Sequence, residues 1–173
     1  MLLVTKKFES QNDFLRLEDF QALSLCSDGR GWMVFYNCGP DSGRSQPHKH
    51  LQITPYPFAT GSSMLRPGAH FPFLHAMAAI PSWRDGRALF ALYESLIEQC
   101  GGAKACTSHN FIMTDSVMLI VPRRVEHFNG AGINACGFAF SLLVGCEDLK
   151  VMFENHGLMN VLKHVTFPAT SNL

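Results

Sequence analysis

Two histidines separated by a single residue, His48 and His50, are the side chains of this chain best suited to chemistry. They lie in a strand-like run from Gln46 to Gln52, and in a strand both imidazoles and Gln52 would project from the same face. A neutral imidazole can attack phosphorus without a separate base to activate it. The spacing therefore predicts nucleotidyl transfer through a covalent nucleotidyl-histidine.

The loop that leads into these histidines, residues 37–46, has a composition suited to phosphate binding. Gly, Ser and Asn are frequent in it, so backbone N–H groups and hydroxyls can face an anion. It is longer than most hairpin connections, which favours a function over a simple turn. Arg44, its one cation, is either a partner for phosphate oxygens or a solvated side chain at the loop tip.

Metal binding is the alternative interpretation of the two histidines. Imidazoles at positions i and i+2 can ligate zinc, and Cys38 or His70 could supply a third ligand. The chain contains no second recognisable pair of ligands, which favours the phosphorus chemistry. The histidines without a partner pattern are interpreted as structural or surface residues, and the basic cluster at 122–124 as a solvated edge.

Composition places the chain among ordinary globular proteins. Its 173 residues suffice for one domain with a core, and 47% are hydrophobic. Lys plus Arg equal Asp plus Glu at 14 each, so we expect no nucleic-acid partner, whereas a small polyanion needs only a local cationic pocket. No apolar run has the length of a membrane span, so we expect no membrane partner. Six cysteines without a Cys-x-x-Cys pair favour a reducing compartment, and we predict a cytoplasmic protein.

Hydrophobic periodicity predicts an α+β domain with a mostly antiparallel sheet and flanking helices. The predicted strands cover residues 2–4, 32–36, 48–56, 111–113, 117–121 and 138–144. Helices are predicted over residues 17–23, over an apolar stripe from Leu89 to Ile97, and in two short segments after Glu147. The second and third strands would form a hairpin that carries the histidines on its second arm.

The segment from Phe35 to Gln52 resembles the active-site segment of the ATP adenylyltransferases, also called diadenosine tetraphosphate phosphorylases, a branch of the histidine-triad superfamily. Further similar segments extend the resemblance over nearly the whole chain: residues 2–9, 110–114, 118–124 and 134–139. The resemblance implies a histidine-triad-like fold and a single nucleotidyltransferase domain over residues 1–173. Within it, residues 1–57 would form the catalytic strand–loop–strand core and residues 107–173 a C-terminal adenylyltransferase-like segment.

The family resemblance implies a two-step exchange. His50 would attack the α-phosphorus of diadenosine tetraphosphate, releasing ATP and leaving an adenylyl-histidine, and inorganic phosphate would then take the adenylyl group as ADP. His48 would orient the region around the nucleophile. Gln52 occupies the place of a third histidine in the hydrolase branches, and because glutamine is no general acid or base, this favours phosphate over water as the acceptor.

The resemblance also implies the residues that bind nucleotide and phosphate. They lie in the loop and at its end, and in a second segment further along the chain: Asn37, Gly43, Arg44, Ser45, Gln46, Gln52, Ser108, His109, Asn110 and Met113. We expect no prosthetic group, and a divalent cation only as a companion of the nucleotide.

One departure from the family concerns the N-terminus. Family members carry a further N-terminal portion, with a lysine and polar residues that meet the polyphosphate, and we expect this sequence to start after it. Weaker polyphosphate binding would follow. Two hypotheses therefore stand together: an active diadenosine tetraphosphate phosphorylase, and a catalytically impaired nucleotide-binding relative.

Overall fold

An antiparallel sheet forms the centre of the protein in the computed structural model, which describes residues 1–26, 30–57 and 65–169. Within these ranges the sheet has six strands, β1 Leu2–Val4, β2 Trp32–Cys38, β3 His50–Pro55, β4 Ala76–Ala79, β5 His109–Met113 and β6 Val117–Pro122. They run in the order β1-β3-β2-β5-β6-β4, and each neighbouring pair is antiparallel. A separate small hairpin joins β7 His127–Phe128 to β8 Ala131–Gly132.

Helices flank the sheet, as the periodicity predicted. They are α1 Leu17–Cys26, α2 Gly86–Gln99, α3 Gly102–Ala105, α4 Ala135–Phe138, α5 Glu147–His156 and α6 Leu158–Val165. The stripe predicted for α2 is confirmed, since Leu89, Tyr93 and Leu96 are buried. The α2 helix begins where the Asp85 carboxylate accepts a hydrogen bond from the Ala88 N–H, an ordinary N-cap.

Two cores lie on the two faces of the sheet. Alternate residues of a strand point to opposite faces, so Val34 and Tyr36 of β2 pack with α1 and α2, whereas Met33 and Phe35 pack towards α4 and α6. The apolar run at 32–36 predicted a strand buried on both sides; residues 33–38 are all buried, whereas Trp32 at the start of the strand is exposed.

The predicted hairpin of β2 and β3 is confirmed, with Trp32 opposite Pro55 and Phe35 opposite Gln52. The regular strand begins at His50, two residues later than predicted. His48 instead makes an isolated antiparallel bridge with Ser10, so the chain between β1 and α1 runs beside the start of β3. A short 3-10 turn over Pro40–Ser42 interrupts the connecting loop.

The strand predicted over 138–144 is wrong. Phe138 ends the α4 helix, and residues 141–144 have no regular structure. The cause is local, because the Asn134 side chain accepts a hydrogen bond from the Cys136 N–H and starts a helical turn instead. The alternation of Phe138 and Phe140 resembles a strand, but these rings pack in the second core.

Candidate active site

A cavity of about 290 Å³ opens beside the first residues of β3. Its polar lining comes from both histidines, from Gln52 and from the end of the loop: Ser45, Gln46, His48, His50 and Gln52. Leu2 and Val4 of the edge strand β1 complete it, since the register places Leu2 opposite Gln52 and Val4 opposite His50. The structure thus brings the two imidazoles and Gln52 together on one face, as the alternation predicted.

The hydrogen bond of His50 fixes which ring nitrogen carries its proton. Nδ1 lies 2.8 Å from the main-chain carbonyl oxygen of His48. A carbonyl oxygen can only accept, so Nδ1 must donate, and the neutral ring then keeps its lone pair on Nε2. His50 is 9% exposed and lines the cavity, and the hydrogen bond at Nδ1 leaves Nε2 as the nucleophilic nitrogen of an oriented ring.

His48 has a different set of contacts. Its Nε2 lies 2.9 Å from the Thr5 hydroxyl oxygen and 3.3 Å from the Lys7 carbonyl oxygen, and its ring centroid is 5.5 Å from that of Phe8. The Thr5 hydroxyl itself donates to the Lys7 carbonyl, so His48 Nε2 is the donor here. His48 therefore attaches the segment after β1 through its ring, and orients His50 through its carbonyl.

Lys49, between the two histidines, points to the other face of the sheet. Its side chain is 1% exposed, and Nζ lies 2.6 Å from an Asp19 carboxylate oxygen and 3.4 Å from one of Glu9. Nζ also donates to the Phe14 carbonyl. A buried ammonium needs such partners, and these fasten the start of β3 to α1. This anchor was not predicted, although strand alternation places residue 49 on the face opposite both histidines.

A buried polar network stands behind the loop. The Asn37 side-chain oxygen accepts hydrogen bonds from Asn110 Nδ2 at 2.8 Å and from the Ala135 N–H at 2.9 Å. Asn110 Nδ2 also donates to the Ser42 carbonyl, and its Oδ1 accepts from Arg123 Nη1 at 2.6 Å. Asn37 and Asn110 thus join β2, β5, α4 and the loop, and this position accounts for their burial.

Arg123 is a buried structural residue, so the prediction that it forms part of a solvated edge is wrong. Its guanidinium donates to the carbonyls of Ser42, Ile133 and Val165, as well as to Asn110. Burial lowers the pKa of Arg123 to about 9, which still leaves it charged at neutral pH. Arg124 is exposed, in agreement with the prediction.

Close packing determines the shape of the loop. Gly43 has a φ of +75°, and a Cβ there would lie 2.4 Å from the Ile133 carbonyl oxygen, so only glycine fits without a shift. Ser108 fixes the other side, because its hydroxyl donates to an Asp41 carboxylate oxygen at 3.1 Å and accepts from the Asp41 N–H. The loop is therefore held from two directions before any ligand binds.

Arg44 is half-buried, and its Nε is buried with no hydrogen-bond partner among the residues that the structure describes. An unsatisfied buried donor costs free energy, which an anion at this position would recover. Neighbouring Ser45 and Gln46 are exposed, with side chains along the cavity.

His109 and Met113 do not reach the cavity. The His109 ring is fully buried, with Nδ1 2.8 Å from the Cys106 carbonyl oxygen and Nε2 3.1 Å from the Tyr93 hydroxyl. Burial lowers its pKa to about 4, so the ring is neutral. Met113 lies in the core beneath α1 and α2. Of the second predicted segment, only Ser108 and Asn110 support the loop, and they do so from behind.

An apolar cleft of about 390 Å³ adjoins the cavity and shares Leu2 and Gln52 with it. Phe35, Cys136 and Leu143 contribute to its walls. A cavity lined by two imidazoles and three further polar side chains, next to a cleft that contains an aromatic ring, can receive a molecule that has an anionic part and a flat apolar part.

The alternative metal site is not assembled by the described ranges. Within residues 1–26, 30–57 and 65–169, no three His, Cys, Asp or Glu side chains are grouped so that they could hold a metal ion. Cys38 lies in the core under α1 and α2, on the face opposite His50, where burial raises the pKa of its thiol to about 12. In the same ranges, every helix is too short or too polar to cross a membrane.

Comparison with known proteins gives consistent matches along the chain. Residues 1–70 match the model of the Ap4A phosphorylase N-terminal domain, and residues 69–168 match that of the ATP adenylyltransferase C-terminal domain. Diadenosine 5',5'''-P1,P4-tetraphosphate phosphorylase 2 of Saccharomyces cerevisiae is 29% identical over 98% of this chain and 66% of its own length. Protein APA1 of the same yeast is 27% identical, over 98% and 65%. The chain thus spans about two thirds of these curated relatives.

Solved structures agree with these matches. The crystal structure of yeast Ap4A phosphorylase Apa2 superposes with a TM-score of 0.79 at 28% identity, covering 98% of this chain and 70% of that one. The complexes of Apa2 with AMP and with Ap4A each give a TM-score of 0.75 at 28% identity. They cover 99% and 98% of this chain, and 69% and 70% of the Apa2 chains.

Proposed function

This chain belongs to the ATP adenylyltransferase family of Ap4A phosphorylases, and we propose that it cleaves diadenosine tetraphosphate with inorganic phosphate to give ADP and ATP. The nucleophile is His50. The observation that carries the proposal is the bond from His50 Nδ1 to the His48 carbonyl, which leaves the lone pair on Nε2 of a ring that lines the cavity beside Ser45 and Gln46.

In the first step, His50 Nε2 attacks the α-phosphorus. A P–N bond forms while the P–O bond to the leaving ATP breaks, and the ring becomes a cationic adenylyl-imidazolium. The proton stays on Nδ1, where it is hydrogen-bonded to the His48 carbonyl oxygen. The partial negative charge of this oxygen stabilises the positive charge that the ring gains. In the second step, a phosphate oxygen attacks the same phosphorus. The P–N bond then breaks and ADP leaves.

The loop supplies the groups that meet phosphate charge. Ser45 and Gln46 line the cavity, and Arg44 next to them has a buried Nε that needs an acceptor. Fixed donors of this kind stabilise the charge that develops on the phosphoryl oxygens. A divalent cation accompanying the nucleotide would share this task. Gln52, beside His50, offers an amide but no proton exchange, which favours phosphate as the acceptor.

The apolar cleft beside Gln52 suits the adenine base, because its walls combine an aromatic ring with aliphatic side chains. Nucleotide and inorganic phosphate are therefore the partners that we propose, in a cytoplasmic setting where the six free thiols would remain reduced.

The activity test incubates the protein with diadenosine tetraphosphate, with and without inorganic phosphate, and separates the products by chromatography. We expect equal amounts of ADP and ATP that require phosphate. His50→Ala should abolish turnover, because the nucleophile is gone. His156→Ala is the matched control, since His156 is exposed and lies on α5, outside the cavity. A folded wild-type chain without phosphate-dependent cleavage contradicts the proposal.

Mass spectrometry separates this function from its alternative, a nucleotide-binding relative with impaired catalysis. When phosphate is omitted, the wild-type chain should accumulate one adenylyl adduct, which peptide mapping assigns to His50. The alternative predicts nucleotide binding by calorimetry without any adduct. An adduct on a residue other than His50 contradicts both assignments.

A further inference from the structure

Gln11 lies in the irregular segment between β1 and α1, and its side chain is buried with 1% exposure. Nothing in the histidine motif points to this residue, which is far from it in sequence. A buried side-chain amide must find partners for its donors and its acceptor, so its contacts reveal what it does.

The partners of Gln11 are the main-chain groups of the proposed nucleophile. Its Oε1 accepts from the His50 N–H at 2.8 Å. Its Nε2 donates to the Asn37 carbonyl at 3.0 Å and to the His50 carbonyl at 3.3 Å. One amide thus holds both polar groups of the His50 main chain.

The Gln11 side-chain amide takes the place of a direct hydrogen bond between β2 and β3. The pairing of β2 with β3 runs from Trp32 and Pro55 to Phe35 and Gln52, and the same register carried two residues further would align Asn37 with His50. Instead, the Gln11 side chain lies between the Asn37 carbonyl and the His50 N–H. The two strands therefore separate at the catalytic histidine, and a side chain replaces the direct bond.

The main chain of Gln11 is hydrogen-bonded near both ends of the loop over residues 37–46. Its N–H donates to the Pro47 carbonyl at 2.8 Å, and its carbonyl accepts from the Gly39 N–H at 3.3 Å. The buried Tyr36 hydroxyl also donates to this carbonyl, at 3.1 Å. Because both ends of the residue are held, the amide cannot follow a movement of His50 and instead restrains it.

We propose that Gln11 is a positioning residue, which sets the orientation of the His50 imidazole by holding its main chain away from β2. The proposal rests on His50 as nucleophile in the function proposed above. Without the amide, the His50 N–H and the Asn37 carbonyl lose their partners, and water or a direct bond between them must replace it. Either change rotates the main chain at residues 48–50, and with it the contact from His50 Nδ1 to the His48 carbonyl.

The first test needs no substrate. Long-range proton–nitrogen NMR of the histidine rings reports the tautomer of His50 in the wild type and in the Q11M and Q11E variants. We expect the wild type to carry its proton on Nδ1, and Q11M to show a mixture of tautomers. Burial raises the pKa of a carboxyl at this position, so Q11E should keep the wild-type pattern at a pH where the His50 ring is neutral and the carboxyl is still protonated, and lose it when the pH rises further.

The second test measures steady-state phosphorolysis. Misorientation of a nucleophile costs roughly 10- to 100-fold in rate, so kcat of Q11M should fall by that factor while KM stays within about twofold, because Gln11 itself touches no substrate. T166V is the matched control: Thr166 is equally buried, its hydroxyl donates to the Leu162 carbonyl, and valine has the same shape. T166V should leave kcat and the His50 tautomer unchanged.

The outcomes separate positioning from mere stability and from the proposed function. An unchanged tautomer in folded Q11M overturns the proposal, as does a loss of kcat that T166V shares. Unfolding of both Gln11 variants also overturns it, because the residue is then needed for the fold rather than for the ring. If the wild type shows the Nδ1 tautomer and Q11M loses it, but no phosphorolysis occurs, the proposed function fails and the positioning stands.

Discussion

His109 was predicted from the sequence to bind nucleotide, but in the structure its neutral ring is a buried part of the core. Its neighbour Asn110 follows a Ser–His–Asn order that resembles a substrate-binding segment, yet alternation along β5 and the depth of the strand decide what each side chain meets. His109 faces Tyr93 and the Cys106 carbonyl. The cost of its burial appears when the ring must be protonated.

Acid should therefore destabilise the protein through His109. The pKa of the folded state is about 4, against 6.5 for the free side chain, so between these values the unfolded chain binds the extra proton. Stability then falls as the pH falls, by up to about 3 kcal/mol at the lower end. Urea unfolding across this range should show the slope. It should disappear from His109→Gln and persist in His156→Gln, whose side chain is exposed; a slope retained without His109 would assign it elsewhere.

At the scale of elements, the loop over residues 37–46 is shaped by the residues packed behind it rather than by its own sequence. The Asn37–Asn110 pair and Arg123 hold the strand side, and the Ser108–Asp41 contact holds the start of the loop. Under the proposed function, such a loop would be ordered before a nucleotide binds, and so would lose little conformational entropy on binding.

Gly43 allows a clean test of this preorganisation. Gly43→Ala should displace the loop, because its Cβ would meet the Ile133 carbonyl oxygen at 2.4 Å, and nucleotide affinity should fall. Gly130→Ala is the control, since Gly130 has a similar φ of +81° but nothing within 4 Å of the added carbon. Both variants lose about 1 kcal/mol from the left-handed backbone. Calorimetry with AMP should detect a loss of affinity in the first alone, and equal losses would refute the close-packing argument.

Local regularity explains which elements could be predicted. The stripe of α2 and the alternation through His48, His50 and Gln52 are written in adjacent residues, so the helix, the hairpin and the shared face follow from them. Gln11 and Arg123 carry no such signal, because their partners lie far away in the chain and their types are common at surfaces. The false strand at 138–144 has a related cause: the capping effect of Asn134 outweighs an alternation of aromatic residues.

At the scale of the whole molecule, the two cores on opposite faces of the sheet have different roles. The core under α1 and α2 holds Lys49 and the inward side of β3, while the other face carries the cavity at one edge and the α4–α6 core at the centre. The cavity therefore lies directly on the central sheet, and a ligand bound there should stabilise the whole fold.

Nucleotide binding should raise the melting temperature. A ligand that binds only the folded state adds about 2.7 kcal/mol at a hundred times its dissociation constant. For a domain of this size that corresponds to a shift of about 5–10 °C. Differential scanning fluorimetry with AMP should show this, and a double variant, Ser45→Ala with Gln46→Ala, should reduce the shift without lowering the melting temperature of the free protein. Adenosine without phosphate is the control ligand, and equal shifts from both would deny the loop its role.

The alternation of side chains over residues 48–53 has a consequence for how the candidate active site can change during evolution. Across the start of β3, the even-numbered side chains from 48 to 52 line the cavity and the odd-numbered ones from 49 to 53 lie on the opposite face with α1 and α2, so the cavity lining and the core packing use separate residues. Under the proposed function, a substitution at position 52 could change which molecule accepts the adenylyl group without disturbing the Lys49 ion pair with Asp19. A one-residue insertion before His50, by contrast, would exchange the two sets at once. We expect natural and engineered diversity in this segment to arise by substitution, never by a change in its length.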